Sequence, residues 1–259
     1  MDWLYVFSGL VVGAVVGMTG VGGGSLMTPL LVMGFGVAPV MAVGTDLLYA
    51  GLTKAGGSVA RHRLGSVDWR VAGLLALGSV PAALVTTAAL AEAADHEMYV
   101  GSLLTTALGV TLLMSAVALV FKEQLQRFAA ARTSTTGAWR VRHAGLLTVL
   151  VGALLGLLVT LTSVGAGALG AIALLLLYPH LPTNHVAGTD IVHAVPLTLV
   201  AGASHAVAGT VHYGMLGSLL IGSLPGILLG SLLSQRLPDH LVRRALALVL
   251  FAVGLKLVV

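Results

Sequence analysis

Cysteine is absent from all 259 residues, so disulfides, thiolate metal sites and cysteine nucleophiles are excluded. Charge is scarce as well. Asp, Glu, Lys and Arg together make up 8% of the chain, where a soluble domain carries about a quarter. Hydrophobic residues make up 58%, too many for the remaining polar side chains to cover a water-facing surface. Strand-like alternation is also missing. That argues against a closed β-barrel and leaves a helical bundle as the structure whose backbone is satisfied in lipid. There is no nucleotide-binding motif, so this chain alone does not couple ATP to transport. Met1-Asp2-Trp3 carries no basic run before the first apolar stretch, and a cleaved signal peptide is not expected.

What the chain does have, it has twice. Thr19-Gly20-Val21-Gly22-Gly23-Gly24, Gly44-Thr45-Asp46 and Gly78-Ser79-Val80-Pro81 are answered by Thr162-Ser163-Val164-Gly165-Ala166-Gly167, Gly188-Thr189-Asp190 and Gly222-Ser223-Leu224-Pro225. The last two pairs lie 144 residues apart and the first 143. A duplicated glycine-rich interruption beside a duplicated carboxylate, both in apolar sequence, is how many secondary transporters build a site between two halves.

Apolar segments run over about 3–18, 25–35, 38–60, 71–90 and 98–121, and again over 144–161, 167–179, 184–208, 214–234 and 241–258. The chain therefore divides into a first membrane repeat (1–121), a basic cytoplasmic linker (122–143) and a second membrane repeat (144–259). A crossing takes roughly 20 apolar residues. Residues 3–35 are too few for two crossings and too many for one, so they form either one broken span or a hairpin that returns to its own side. The basic residues favour the hairpin, which makes the halves inverted. Arg61, Arg63 and Arg70, the linker cations, and Arg236, Arg243 and Arg244 then share the cytoplasmic face, with Lys256 outside. This clustering at segment ends accounts for the net charge of +4 without a nucleic-acid surface. The expected fold is all-α: a polytopic helical membrane protein of two homologous halves, each a Gly-broken helix or hairpin plus three spans.

The glycine runs are expected to be helix breaks at which backbone N–H groups approach a ligand. Thr19, Gly20, Gly22, Gly23, Gly24 and Ser25 would supply one side, and Thr162, Ser163, Gly165 and Gly167 the other. Close helix packing through small residues is the alternative. Asp46 and Asp190 either couple transport to an ion, with Thr45 and Thr189 donating beside them, or cap their helices or satisfy a neighbouring helix by hydrogen bonding. His193, three residues after Asp190, can share its face and relay protons. Lys54 is a counter-ion within the membrane or a snorkelling side chain. No metal-ligand spacing appears among the histidines, and no metal or other cofactor is expected. Arg61, His62 and Arg63 read as a topology-setting loop, and Pro81 and Pro225 as matched kinks.

Gly13-x3-Gly17-x2-Gly20-x-Gly22-Gly23-Gly24-x4-Pro29, Ala42-x-Gly44-Thr45 and Val67-Asp68-Trp69, echoed by Ala187-Gly188-Thr189 and Val211-His212-Tyr213, resemble the sulfite exporter TauE/SafE family over essentially the whole chain. The resemblance implies a multi-pass inner-membrane protein that moves small sulfur-containing or organic anions and is not an enzyme. Ser163 and Ala166 stand where the first half has Gly20 and Gly23, so the two halves of the site need not be equivalent. The expected partners are a small anion, a coupling ion (the proton) and the lipid bilayer, and a homodimer is left open. An anion-selective channel is the main alternative, a membrane-embedded enzyme the lesser one.

Overall fold

Apolar sequence in lipid has no water to satisfy its peptide groups, and here it is helical almost throughout. The computed structural model describes residues 3–19, 24–63, 65–93, 97–131, 138–165, 167–233 and 239–258. The first repeat forms α1 (Trp3–Thr19), α2 (Gly24–Pro29) continuing as a π-helical turn (Leu30–Gly34), α3 (Pro39–Arg63), α4 (Trp69–Glu92) and α5 (Glu97–Val120). After α6 (Lys122–Ala131) the second repeat forms α7 (Ala138–Thr162), α8 (Ala168–Leu177), α9 (Thr183–Val207), α10 (Tyr213–Leu233) and α11 (Asp239–Val258). No strand occurs among the described residues. Five helices, α4, α5, α7, α9 and α10, carry stretches long and apolar enough to cross a membrane.

Two expected loops are helical. Arg61, His62 and Arg63 form the last turn of α3, where cations suit the negative end of the helix dipole. The linker contains α6, whose sequence KEQLQRFAAA sets Leu125 and Phe128 at helical spacing, and its last residues begin α7. Pro81 and Pro225 lie inside α4 and α10, each assigned as one helix. The pieces after the breaks are short, as segment length requires. The chain also turns back on itself in both halves. α1 alone is about 25 Å long at 1.5 Å per residue, yet Phe35, just past the π-helical turn, returns to within 4.8 Å of the Tyr5 ring near its start. In the second half Tyr178, just past α8, comes back to Thr148 near the start of α7, hydroxyl to hydroxyl at 2.7 Å. In each half the described helices on either side of the break therefore fold back against one another as a hairpin.

The halves interlock through glycine. A Cβ at Gly9 or Gly13 of α1 would strike the backbone of Leu219 or Ser223 of α10, and one at Gly152 or Gly156 of α7 would strike Leu75 or Ser79 of α4. These two contacts are the same contact, moved by 143 and 144 residues. In both the partner number rises along with the glycine number, so the paired helices run parallel. The corresponding helices α3 and α9 instead run antiparallel, with Gly51 against Leu199 and Gly202 against Leu48. Between them lies a shared apolar centre that includes Val43, Leu47, Val159, Ala194 and Leu197.

Candidate substrate site

The two Gly-Thr-Asp motifs lie well inside α3 and α9, not at their starts. α3 begins at Pro39 and α9 at Thr183, so neither Asp46 nor Asp190 caps its helix. Asp46 is 0% exposed and Asp190 2%. Each lies against the return helix of its own hairpin. The Thr28 hydroxyl on α2 donates to Asp46 Oδ2, and Asp190 Oδ1 packs on Gly170 of α8, where a Cβ would collide with it. Asp46 Oδ1 and Asp190 Oδ1 make no hydrogen bond. Ser163, at the break of the second half, aims its buried hydroxyl at the Asp46 carboxylate, close enough to act on it but short of a bond of normal length. Asp46 thus brings residues of both halves together.

The break itself is built by backbone geometry. Ser163, Gly165 and Gly167 have φ of 56°, 119° and 139°, values that end α7 and re-aim the chain into α8. Thr162 is spent on this turn: its Oγ1 donates to Leu158 O (2.7 Å) and accepts the Val164 N–H (3.1 Å). In the first half Thr19 and Gly24 bound the break and Ser25 is buried, while Gly20, Gly22 and Gly23 lie outside the described residues. Thr45 and Thr189 act as cross-ties. Thr45 Oγ1 accepts the His212 N–H at 3.0 Å, and Thr189 Oγ1 accepts the Asp68 N–H at 2.9 Å. Asp68 and His212 then cap α4 and α10 through Val71 N–H and Met215 N–H, both at 3.0 Å. Each repeat therefore holds the key threonine of the other.

Three residues carry the asymmetry. His193 Nε2 bonds Ser79 Oγ at 2.9 Å, and its Nδ1 is buried without a partner. The equivalent positions are Tyr49 and Ser223, which face one another. Lys54 on α3 is within electrostatic reach of both Asp46 and Asp190, whereas Thr198, its counterpart, is a neutral residue bonded to Ala194 O. Lys54 thus acts on both carboxylates, and Lys122 acts on Asp190 as well. Sequence reasoning missed Thr28, Ser79 and Tyr49. For Ser79 the signal was present, since the duplicated Gly-Ser-x-Pro motif contains it. Among the described residues no group of three or more His, Asp or Glu side chains could hold a metal ion.

The profile of the family described as "Sulfite exporter TauE/SafE" matches residues 5–257. The chain belongs to that family. Among the TauE/SafE chain's relatives, "Probable membrane transporter protein YjnA" of Bacillus subtilis (strain 168) is 36% identical over 253 residues, covering 98% of each chain. "Probable membrane transporter protein YdhB" of the same organism is 24% identical over 249 residues, 95% of each. A "Probable membrane transporter protein" of Xylella fastidiosa (strain Temecula1 / ATCC 700964) is 26% identical over 252 residues, 96% of this chain and 91% of its own. No solved structure matches. Membership and the apolar helices together make this TauE/SafE protein a multi-pass membrane transporter.

Proposed function

We propose that the protein is a secondary transporter of small sulfur-containing or organic anions in the cytoplasmic membrane. It works by alternating access of two inverted halves, with the proton as coupling ion. The observation that carries this reading is the buried meeting of the second-half break with the first-half carboxylate, the Ser163 hydroxyl facing Asp46 without a bond of normal length between them. A buried polar atom without a partner costs about 1–3 kcal/mol, which a ligand or a proton arriving at the site recovers. The inverted arrangement is supported by the antiparallel approach of α3 and α9, and by the ion pair between Arg243 and Glu123 at 3.9 Å, which joins α11 to the linker. In this scheme the hairpins enter the membrane from opposite faces. Their breaks offer N–H groups to the anion, and protonation of Asp46 or Asp190 relieves repulsion between anion and carboxylate.

Uptake of sulfite, sulfonates and small carboxylates into proteoliposomes, with and without a proton gradient, tests this. Saturable flux that the gradient drives is expected, and in Asp46→Asn flux that no longer responds to the gradient. Flux that stays linear in substrate concentration would make the protein a channel, and chemical turnover without translocation would make it an enzyme.

A further inference from the structure

One end of the bundle holds a cavity of about 530 Å³ lined by the first turn of α3, the last turn of α4, the start of α5 and the turn after α9. Its lining is mainly apolar, with three polar groups of use to a ligand: Thr87, His205 and Thr210. Val40 and Met41 line it as well. α3 begins at Pro39, and its first regular bond is made by the Ala42 N–H to Ala38 O. The helix therefore leaves the Val40 and Met41 N–H groups without partners of its own, at the positive end of a 25-residue helix.

His205 is the second, independent observation. It is 2% exposed, and its Nε2 makes no hydrogen bond. Thr210 Oγ1 donates to His205 O at 3.0 Å and also lies 2.9 Å from Nδ1. Thr210 Oγ1 faces Nδ1, and the Thr160 backbone of α7 is a second acceptor beside the ring, so a protonated ring would find an acceptor on each of these two elements. No charged side chain among the described residues acts on the ring. Among the described lining residues of α3, α4, α5 and α9, none other than His205 titrates, Glu92 being next along from Ala91 at the exposed end of α4. In such surroundings neither an imidazolium nor an anion is stable alone, but the two together are.

We propose that this cavity is an anion-binding vestibule that takes up a small anion and a proton together, the anion against the N-terminus of α3 and the proton on the His205 ring. This rests on reading the chain as an anion carrier, whose outer mouth this end would be. The repeat gives the site a direction. Thr210 N–H and hydroxyl close the turn onto His205 O, and Ser66 N–H and hydroxyl close the equivalent turn onto Arg61 O, at 3.2 Å each. The counterpart of His205 at the opposite mouth is thus a permanent cation, so proton uptake accompanies anion binding at one mouth and not at the other.

The test is calorimetric titration of the purified full-length protein with methanesulfonate, whose charge does not change near neutral pH, in buffers of differing protonation enthalpy. Wild type should take up about one proton per anion above neutral pH, its affinity falling about tenfold per pH unit. His205→Gln should abolish the proton uptake and flatten the pH dependence. Ala91→Trp, which fills the cavity and leaves the ring intact, should weaken binding at least tenfold. Wild-type binding without proton uptake, or unchanged behaviour in both variants, overturns the vestibule. Such a result beside proton-driven sulfite flux leaves the carrier reading standing. Proton-linked binding lost in His205→Gln, in a protein that moves no anion, keeps the vestibule and removes the carrier.

Discussion

Asp46 and Thr28 form the tightest polar contact of the site, and each is wholly buried. Thr28→Val keeps the shape and removes the donor, leaving a second carboxylate oxygen unsatisfied beside Oδ1. A loss of about 1–3 kcal/mol in stability is expected, read as a lower melting temperature in detergent. Asp46→Asn removes the charge whose burial makes the lost bond expensive. The double variant should therefore lose less than the sum of the two single losses, and strict additivity would dissociate the pair. Serine 79 offers a parallel test at the other carboxylate's neighbour. Ser79→Ala frees both nitrogens of the buried His193, whereas Ser223→Ala removes a hydroxyl from which Tyr49 accepts no bond of normal length. Ser79→Ala is expected to be the more destabilising of the two by about 1 kcal/mol, again by melting temperature.

The break is an element-scale device, and its two copies differ. Ser163 holds φ of 56°, a conformation costing a non-glycine residue roughly 1–2 kcal/mol. The first half has Gly20 at the matching position. Ser163→Gly should therefore stabilise the fold by about 1 kcal/mol while removing the hydroxyl beside Asp46. A raised melting temperature with reduced uptake would mark strain kept for function. A raised melting temperature with unchanged uptake would remove Ser163 from the site. Much of this was legible in the sequence. The 143–144 offset, the broken first helices and the motif pairs come from short-range patterns, and Gly165 and Gly167 announce the positive φ values they adopt. What was illegible is what depends on distance in the chain. Nothing near Thr45 indicates that it receives the His212 N–H 167 residues away, or near Asp46 that Thr28 bonds it. Nor does anything near Lys54 indicate that the antiparallel packing of α9 brings Asp190 within reach of its ammonium. The capping reading failed although the segment starts were close: α3 and α9 begin at Pro39 and Thr183, nearly two turns before the aspartates, too far for either to cap its helix.

At the scale of the whole molecule, orientation in the membrane decides whether the paired site is reached from both sides. The helix directions support the proposed inverted arrangement: α1 with α10 and α4 with α7 run parallel, α3 with α9 antiparallel. With parallel halves, α3 and α9 would cross in the same sense, and their contacts would climb together instead of running opposite ways. The absence of cysteine makes this directly measurable, because a single introduced thiol is the sole target for a membrane-impermeant maleimide. Glu92 and Gln124 are exposed and fall on the same sides under either arrangement, outside and inside respectively, so Glu92→Cys and Gln124→Cys calibrate the assay. Val207, 91% exposed at the end of α9, separates the two. With inverted halves Val207→Cys is labelled from outside intact cells, as Glu92→Cys is. With parallel halves it is labelled only after permeabilisation, as Gln124→Cys is. The expected result is labelling from outside. It would put the cavity beside His205 at the outer mouth and the Arg61 turn at the inner one, so that one duplicated scaffold presents a titrating group to one compartment and a fixed charge to the other.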